Sequence, residues 1–125
     1  DAQVGDMRLP CQKPPWGTLS AVDTTTGEIA WRQAVGVTES LPEGRQNTGR
    51  PGRAAVLVTA SDLLFIAATD DNRLRALDTR TGNQYWEVLL PARGNANPMT
   101  YLGSDGNQYI VISATDDLMT FRLPN

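Results

Sequence analysis

Residues 76–86 read Ala-Leu-Asp-Thr-Arg-Thr-Gly-Asn-Gln-Tyr-Trp, and residues 21–31 repeat them as Ala-Val-Asp-Thr-Thr-Thr-Gly-Glu-Ile-Ala-Trp. The copies are identical at the Ala, the Asp, two of the Thr, the Gly and the Trp. The copies begin at Ala21 and Ala76, 55 residues apart. This period suits a sheet of about four strands with an insertion between the copies, since known propeller blades run to roughly 40–50 residues. The sequence therefore predicts successive copies of one small sheet.

Each copy reads as a β-hairpin that ends in a tryptophan strand. In residues 73–78 alternate side chains fall on opposite faces, which is the period of a strand. The Asp can then accept hydrogen bonds from turn amides, and the Gly can adopt the positive φ that a tight reversal needs. A tryptophan at a fixed place in each repeat favours packing between sheets, so Trp31 and Trp86 are predicted to be mostly buried against a neighbouring sheet.

A third, partial copy completes the organisation. Residues 63–71, Leu-Leu-Phe-Ile-Ala-Ala-Thr-Asp-Asp, correspond to residues 109–117, Tyr-Ile-Val-Ile-Ser-Ala-Thr-Asp-Asp. We therefore predict an all-β β-propeller fragment of two to three four-stranded antiparallel blades over residues 1–125. It comprises a half blade at 17–35, a long connecting loop at 36–53, a full blade at 54–90 and a partial blade at 97–123.

An open stack of blades leaves its two terminal faces uncovered, whereas a closed ring has none. The expected partners are therefore the remaining blades of a longer polypeptide, or further copies of this chain. Net charge is −3 with acidic and basic residues interleaved, which disfavours nucleic acid as a partner. No stretch approaches the ~18 apolar residues of a membrane span, so any membrane attachment is expected through upstream segments absent from this sequence.

The chain has no histidine and one cysteine, Cys11, which excludes His-based zinc sites and Ser-His or Cys-His pairs. We assign no catalytic and no metal-binding residue. Cys11 is interpreted as a small, semi-buried loop residue rather than a reactive thiol.

The repeat Ala-x-Asp-x-x-Thr-Gly-x-x-x-Trp resembles the tryptophan-docking motif of dehydrogenases that depend on pyrroloquinoline quinone (PQQ). Residues 10–17, 63–76, 97–101 and 108–114 resemble the C-terminal blades of the membrane-bound glucose dehydrogenase group. The resemblance implies a periplasmic propeller with PQQ and calcium near its axis, which oxidises a sugar or polyol and passes electrons to ubiquinone. It also implies that the family's general-base aspartate and main metal ligands lie upstream of this segment.

Two stretches depart from the family. Its Gly-Thr-Pro-Asn-Leu-Gly-Gly-Pro aligns with residues 49–56, where Gly52 replaces the Asn and Ala54-Ala55 replace the Gly pair. Its Gly-Gly-His-Gly aligns with residues 115–118, which lack the His. We therefore expect this chain alone to bind neither PQQ nor calcium and to be inactive. The residues proposed for one wall of the cofactor cavity are Trp16, Arg50, Gly52, Arg53 and Asn97.

Each of these residues also has a structural interpretation. Trp16 can pack within a blade or form a cofactor wall. Arg45, Arg50 and Arg53 can lie in a solvated loop or meet an anion such as a carboxylate of PQQ. Six aspartates can cap turns, ligate calcium or form acid/base pairs; they are Asp23, Asp70, Asp71, Asp78, Asp116 and Asp117.

Three functions stay open from the sequence. The chain can belong to a PQQ-dependent sugar or polyol dehydrogenase as packing blades plus one cavity wall. It can belong to a non-catalytic propeller scaffold that binds proteins on its rim. It can also be a module that closes a ring by self-association.

Overall fold

The structure is a computed structural model that describes residues 2–4, 7–53, 55–67 and 69–124. Within those residues the regular secondary structure is all β-strand and all antiparallel, which confirms the predicted fold class. The predicted boundary residues Asp1, Ala54 and Asn125 lie outside the described residues. No helix in the described ranges is long and apolar enough to cross a membrane. The strands are β1 (Ala2–Val4), β2 (Met7–Leu9), β3 (Thr18–Val22), β4 (Ile29–Ala34), β5 (Leu57–Val58), β6 (Leu63–Ile66), β7 (Arg73–Asp78), β8 (Gln84–Leu89), β9 (Met99–Leu102), β10 (Gln108–Ala114) and β11 (Asp117–Arg122).

The strands pair in the orders β1-β2, β3-β4, β5-β6-β7-β8 and β9-β10-β11 over the described part of the chain. We call β3-β4 the first sheet, β5 to β8 the second sheet and β9 to β11 the third sheet. The β1-β2 hairpin was not predicted. Its strands have three residues each, which is too short to show an alternating pattern.

The central strands of the second sheet, β6 and β7, are buried on both faces, as expected for a blade between two neighbours. One face packs on the first sheet through a small apolar layer made of Leu64, Ile66, Leu77, Val35 and Leu19. The other face packs on the third sheet through a larger layer that includes Phe65, Ala67, Leu74, Ala76, Ile110, Ile112 and Ala114. The alternation predicted for residues 73–78 thus supplies both layers from a single strand.

The two copies of the repeat fold in the same way. In each turn the glycine amide donates to the aspartate carbonyl, at 2.7 Å for Gly27 to Asp23 and 2.9 Å for Gly82 to Asp78. Both glycines have φ +77. The carboxylate of Asp23 accepts from the Thr25 amide, and that of Asp78 from the Arg80 amide, each at 2.7 Å. The turn-capping interpretation of these two aspartates is confirmed.

Trp31 docks on the turn of the second sheet. Its indole Nε1 donates to the carbonyl of Thr79 at 2.8 Å. Its ring lies so close to Gly82 that a Cβ there would come within 2.9 Å of Trp31 Cε3. Nearby, Gln33 Nε2 donates to the Gly82 carbonyl at 2.7 Å. The Trp31 ring packed on Gly82 therefore adds to the apolar layer that joins the first sheet to the second.

Trp86 departs from the prediction that it would be mostly buried, because its side chain is 40% exposed. It does reach the next sheet, where its ring meets Phe121 edge-on with the centroids 5.4 Å apart. This edge-on contact leaves much of the larger Trp86 ring uncovered.

The connection at residues 36–53 is more ordered than a solvated loop. The hydroxyls of Thr38 and Thr48 lie 2.7 Å apart, and both residues are buried. The Thr38 amide also donates to the Gln46 carbonyl at 2.9 Å. The amide of Val37 donates to the carboxylate of Asp71 at 2.8 Å, which anchors the connection to the second sheet.

Candidate functional site

The second and third sheets approach each other at the edge formed by β5 and β9. There the Asn97 Oδ1 accepts a hydrogen bond from the Ala55 amide at 2.8 Å. Near the opposite edge, where β8 carries Trp86, the sheets enclose an apolar cleft of about 620 Å³. Blades radiate from a central channel in a propeller, so the converging edge faces the axis. We call β5, β9 and the residues that lead into them the inner edge.

Arg50 lies just before the inner edge and forms an ion pair that sequence analysis did not predict. Its Nε lies 2.6 Å from Asp70 Oδ1 and its Nη2 lies 3.0 Å from Asp70 Oδ2, so the contact is bidentate. Both side chains are about three-quarters buried. The solvated-loop interpretation of Arg50 and the turn-capping interpretation of Asp70 are therefore wrong, because each charge is matched by the other.

Three glycines surround the backbone of Arg50. A Cβ on Gly17 would lie 2.2 Å from the Arg50 carbonyl oxygen, and one on Gly36 would lie 2.6 Å from Arg50 Cβ. A Cβ on Gly49 would lie 2.1 Å from the Gly17 carbonyl oxygen. Such separations are far below van der Waals contact, so only glycine fits at these positions. The segment after Trp16 and the end of the connection therefore meet directly.

The predicted site residues are only partly brought together. Gly17, Arg50 and Gly52 line one cleft of about 190 Å³ between the first and second sheets. Trp16 precedes this cleft, donating its amide to the Thr48 carbonyl at 2.7 Å and its indole Nε1 to the Gln12 carbonyl at 2.8 Å.

The other two predicted site residues lie elsewhere along the inner edge. Arg53 is exposed there, and Asn97 belongs to the junction between the second and third sheets. Cys11 is exposed rather than semi-buried.

A buried charge network beside the site was also missed. Asp71 and Arg75 form an ion pair with side chains only 3% exposed, and Arg75 Nε lies 3.0 Å from Glu87 Oε2. Burial by itself raises the pKa of the Asp71 carboxyl, but hydrogen bonds from Arg75, from Thr69 and from the Val37 amide outweigh it and hold the pKa below its usual range. The turn-capping interpretation of Asp71 is therefore wrong.

One signal in the sequence could have revealed this network. Arg75 is an arginine among apolar neighbours on a strand that is buried on both faces, and such a charge needs a buried partner.

The inner edge fits PQQ as one wall and no more. PQQ is a flat quinone with carboxylate groups, which calls for cationic donors around its rim and an apolar face beneath it. The charge of Arg50 is already matched by Asp70, and Asn97 Oδ1 already accepts a hydrogen bond. Arg53 is the exposed arginine of this edge. In the described ranges no three His, Cys, Asp or Glu side chains cluster in a way that could hold a metal ion.

Comparison with known proteins places the chain among quinoprotein dehydrogenases. Residues 1–110 match the family profile described as the PQQ glucose/ethanol/alcohol dehydrogenase β-propeller domain. The chain is 41% identical to quinoprotein glucose dehydrogenase A of Acinetobacter calcoaceticus, covering 90% of this chain and 15% of that protein. It is 44% identical to quinoprotein glucose dehydrogenase of Escherichia coli (strain K12), covering 85% of this chain and 14% of that protein.

A solved structure gives the same result for the fold. The chain superposes on a europium-containing methanol dehydrogenase with a TM-score of 0.59 at 26% identity, covering 76% of this chain and 14% of that one. The chain thus spans about one-seventh of the length of the relatives it matches.

Proposed function

Because the chain belongs to the PQQ-dependent glucose, ethanol and alcohol dehydrogenase β-propeller family, we propose that the polypeptide carrying it oxidises a sugar or polyol in the periplasm. In that enzyme the chain supplies packing blades and one wall of the cofactor cavity. The observation that carries this proposal is the inner edge, where Gly52 and Arg53 stand beside the Asn97 junction. This edge faces the channel, and the relatives' names specify a quinone cofactor.

Each inner-edge residue has a distinct role in this proposal. PQQ, when bound, supplies the two-electron acceptor for the oxidation. Arg53 pairs with one of its carboxylates and so orients the ring within the cavity. Gly52 would offer backbone without a side chain to the cofactor, and Asn97 joins the second and third sheets through its bond to Ala55. Trp16 closes the side of the cavity next to the first sheet.

The proton-transfer chemistry is assigned to other parts of the enzyme. The chain has no histidine, and its buried carboxylates are already engaged, Asp71 by Arg75 and Asp78 by the hydroxyl of Tyr85 at 2.6 Å. A general base must stand within hydrogen-bond reach of the proton that it removes. We therefore place the base and the calcium ligands in blades supplied by the rest of the ring.

The first test compares the chain with the full-length polypeptide. We expect calorimetry with PQQ plus calcium to detect tight binding by the full-length polypeptide and none by residues 1–125. One wall leaves most of the cofactor's polar rim in water. The contacts that form are then too few to offset the entropy lost when PQQ is bound. A dye-coupled glucose assay should show turnover only for the full-length polypeptide. Micromolar binding or turnover by residues 1–125 would show that the site is more local than a ring.

The second test addresses Arg53. In the full-length polypeptide, Arg53→Met should weaken PQQ about tenfold or more, because a charge-assisted contact contributes roughly 1.5–3 kcal/mol. Arg80→Ala is the matched control, since Arg80 lies in an exposed turn with its side chain 72% exposed. Equal PQQ affinity in the Arg53 variant and in the control would remove Arg53 from the cavity.

A further inference from the structure

We propose that Arg50 and Asp70 are positioning residues, whose ion pair fixes the inner-edge residues 51–53 and thereby aims Arg53 into the cofactor cavity. This proposal rests on the proposed function, because it concerns the same cavity. Neither residue is assigned to the cofactor itself. Their effect is transmitted through the backbone of three residues.

Side-chain and backbone contacts both connect residues 50–52 with residues 69–70. Arg50 binds Asp70 through both oxygens of the carboxylate. The Asp70 amide donates to the carbonyl of Pro51 at 3.2 Å, and Gly52 forms a backbone bridge with Thr69. Side chain and backbone therefore join the same two segments, and the chain from Arg50 to Gly52 cannot slide along the β6-β7 turn while the pair is intact.

Arg50 is itself held from the other side. Its amide donates to the Val35 carbonyl at 2.8 Å, directly after the first sheet. The close approaches of Gly17 and Gly36 leave its backbone no lateral freedom. Arg50 therefore connects the first and second sheets and acts as the joint between them. Its ion pair with Asp70 sets the direction of the backbone at residues 51–53.

The geometry favours positioning over simple stabilisation. The two side chains are 23% and 24% exposed, and both line a polar cleft of about 320 Å³, so water reaches one side of the pair. A largely buried ion pair adds little net stability because desolvation offsets the attraction, although removing one partner alone leaves a costly unpaired charge. A bidentate guanidinium–carboxylate contact nevertheless fixes direction, because two parallel hydrogen bonds restrict rotation. Loss of the ion pair should therefore mainly loosen the backbone at residues 51–53.

The variants form a double-mutant cycle in the full-length polypeptide. They are Arg50→Met, Asp70→Asn and the double variant, with Arg50→Lys as the conservative change and Arg80→Ala as the matched control. The first readout is amide hydrogen exchange without PQQ, in peptides that cover residues 48–56 and 66–72. The second is PQQ affinity by calorimetry, and the third is the thermal midpoint.

We expect exchange in both peptides to rise about tenfold in each single variant, with no further rise in the double variant. PQQ affinity should fall about tenfold in parallel, while the thermal midpoint should fall less in the double variant, which leaves no charge unpaired, than in either single variant. Arg50→Lys should recover part of both effects, since it keeps the charge but loses the bidentate contact. Arg80→Ala should match the wild type throughout.

Three results would count against the proposal in different ways. Unchanged exchange in the single variants, with normal PQQ binding by the wild type, would refute the positioning role and leave the proposed function standing. If exchange rises in the single variants but the wild-type full-length polypeptide binds no PQQ, the proposed function is refuted and the pair is only a structural contact. Strictly additive effects of the two single changes on PQQ affinity would also count against the proposal, because coupled residues must not add.

Discussion

Replacing Gly82 with alanine should destabilise the protein far more than the same change at Gly27. The two glycines occupy equivalent turns, both with φ +77. Their surroundings differ, because a Cβ on Gly82 meets the ring of Trp31 while a Cβ on Gly27 meets nothing within 4 Å. The pair therefore separates the cost of the backbone conformation from the cost of displacing the docked tryptophan.

The magnitudes follow from these contacts. Both variants place alanine in the left-handed region, which costs about 1–2 kcal/mol. In the Gly82 variant the new methyl would lie 2.9, 3.0 and 3.2 Å from three Trp31 ring atoms. Such overpacking costs about 1–3 kcal/mol. If the ring withdraws instead, its 2.8 Å hydrogen bond to Thr79 is lost, at a cost of about 1 kcal/mol.

Urea unfolding followed by circular dichroism measures the difference. We expect Gly82→Ala to lose about 1–3 kcal/mol more than Gly27→Ala. Trp31 fluorescence should shift only in the Gly82 variant, although Trp16 and Trp86 must first be replaced by phenylalanine to isolate the signal. Equal losses in the two variants would mean that Trp31 does not depend on Gly82, and the tryptophan-on-glycine account of sheet stacking would be refuted.

Three further outcomes are expected. Trp31→Ala should cost about 3–5 kcal/mol and Trp86→Ala clearly less, since Trp86 keeps 40% of its side chain exposed; denaturant midpoints that reverse this order would contradict the docking geometry. Arg80→Ala should stay within about 0.5 kcal/mol in the same assay, as a surface change. The lowered pKa of Asp71 contributes stability that is present above its ordinary pKa of 3.8 and is lost as pH falls through the lower folded-state pKa. Asp71→Asn should therefore flatten the fall in unfolding free energy below about pH 4 relative to wild type, and an unchanged slope would show that another carboxyl is responsible.

The fold could be predicted because its information is local and repeated. A strand of alternating side chains, a capped turn and a tryptophan at fixed spacing specify one hairpin, and two copies specify the stack. The Gly27 and Gly82 turns, read from residues 21–31 and 76–86 alone, have the same hydrogen bonds and the same φ. Local chemistry of this kind can be read from a single sequence.

The site could be predicted less well because its contacts join distant segments. The Arg50–Asp70 pair links residues twenty positions apart, and nothing in a run of Gly, Pro and Arg indicates which carboxylate an arginine will meet. The prediction that Trp86 is mostly buried was wrong for a related reason. Its exposure depends on which side chains of the third sheet pack on it, and its own repeat does not contain that information. Pairings across a sheet junction are fixed by packing, which a pattern in one strand does not contain.

The contact between Thr38 and Thr48 has a consequence for how this family can vary in length. The two hydroxyls, 2.7 Å apart, close the base of residues 39–47, most of which are exposed. Glu39 still pairs with Arg73 of the second sheet, so residues 40–45 are the part that lies away from the joint at Arg50. Because the entropy of closing a loop rises only slowly with its length, insertions or deletions at residues 40–45 should be tolerated without moving either sheet. That span is thus the natural place for homologues to differ in size, and a practical place to insert a label or a tag.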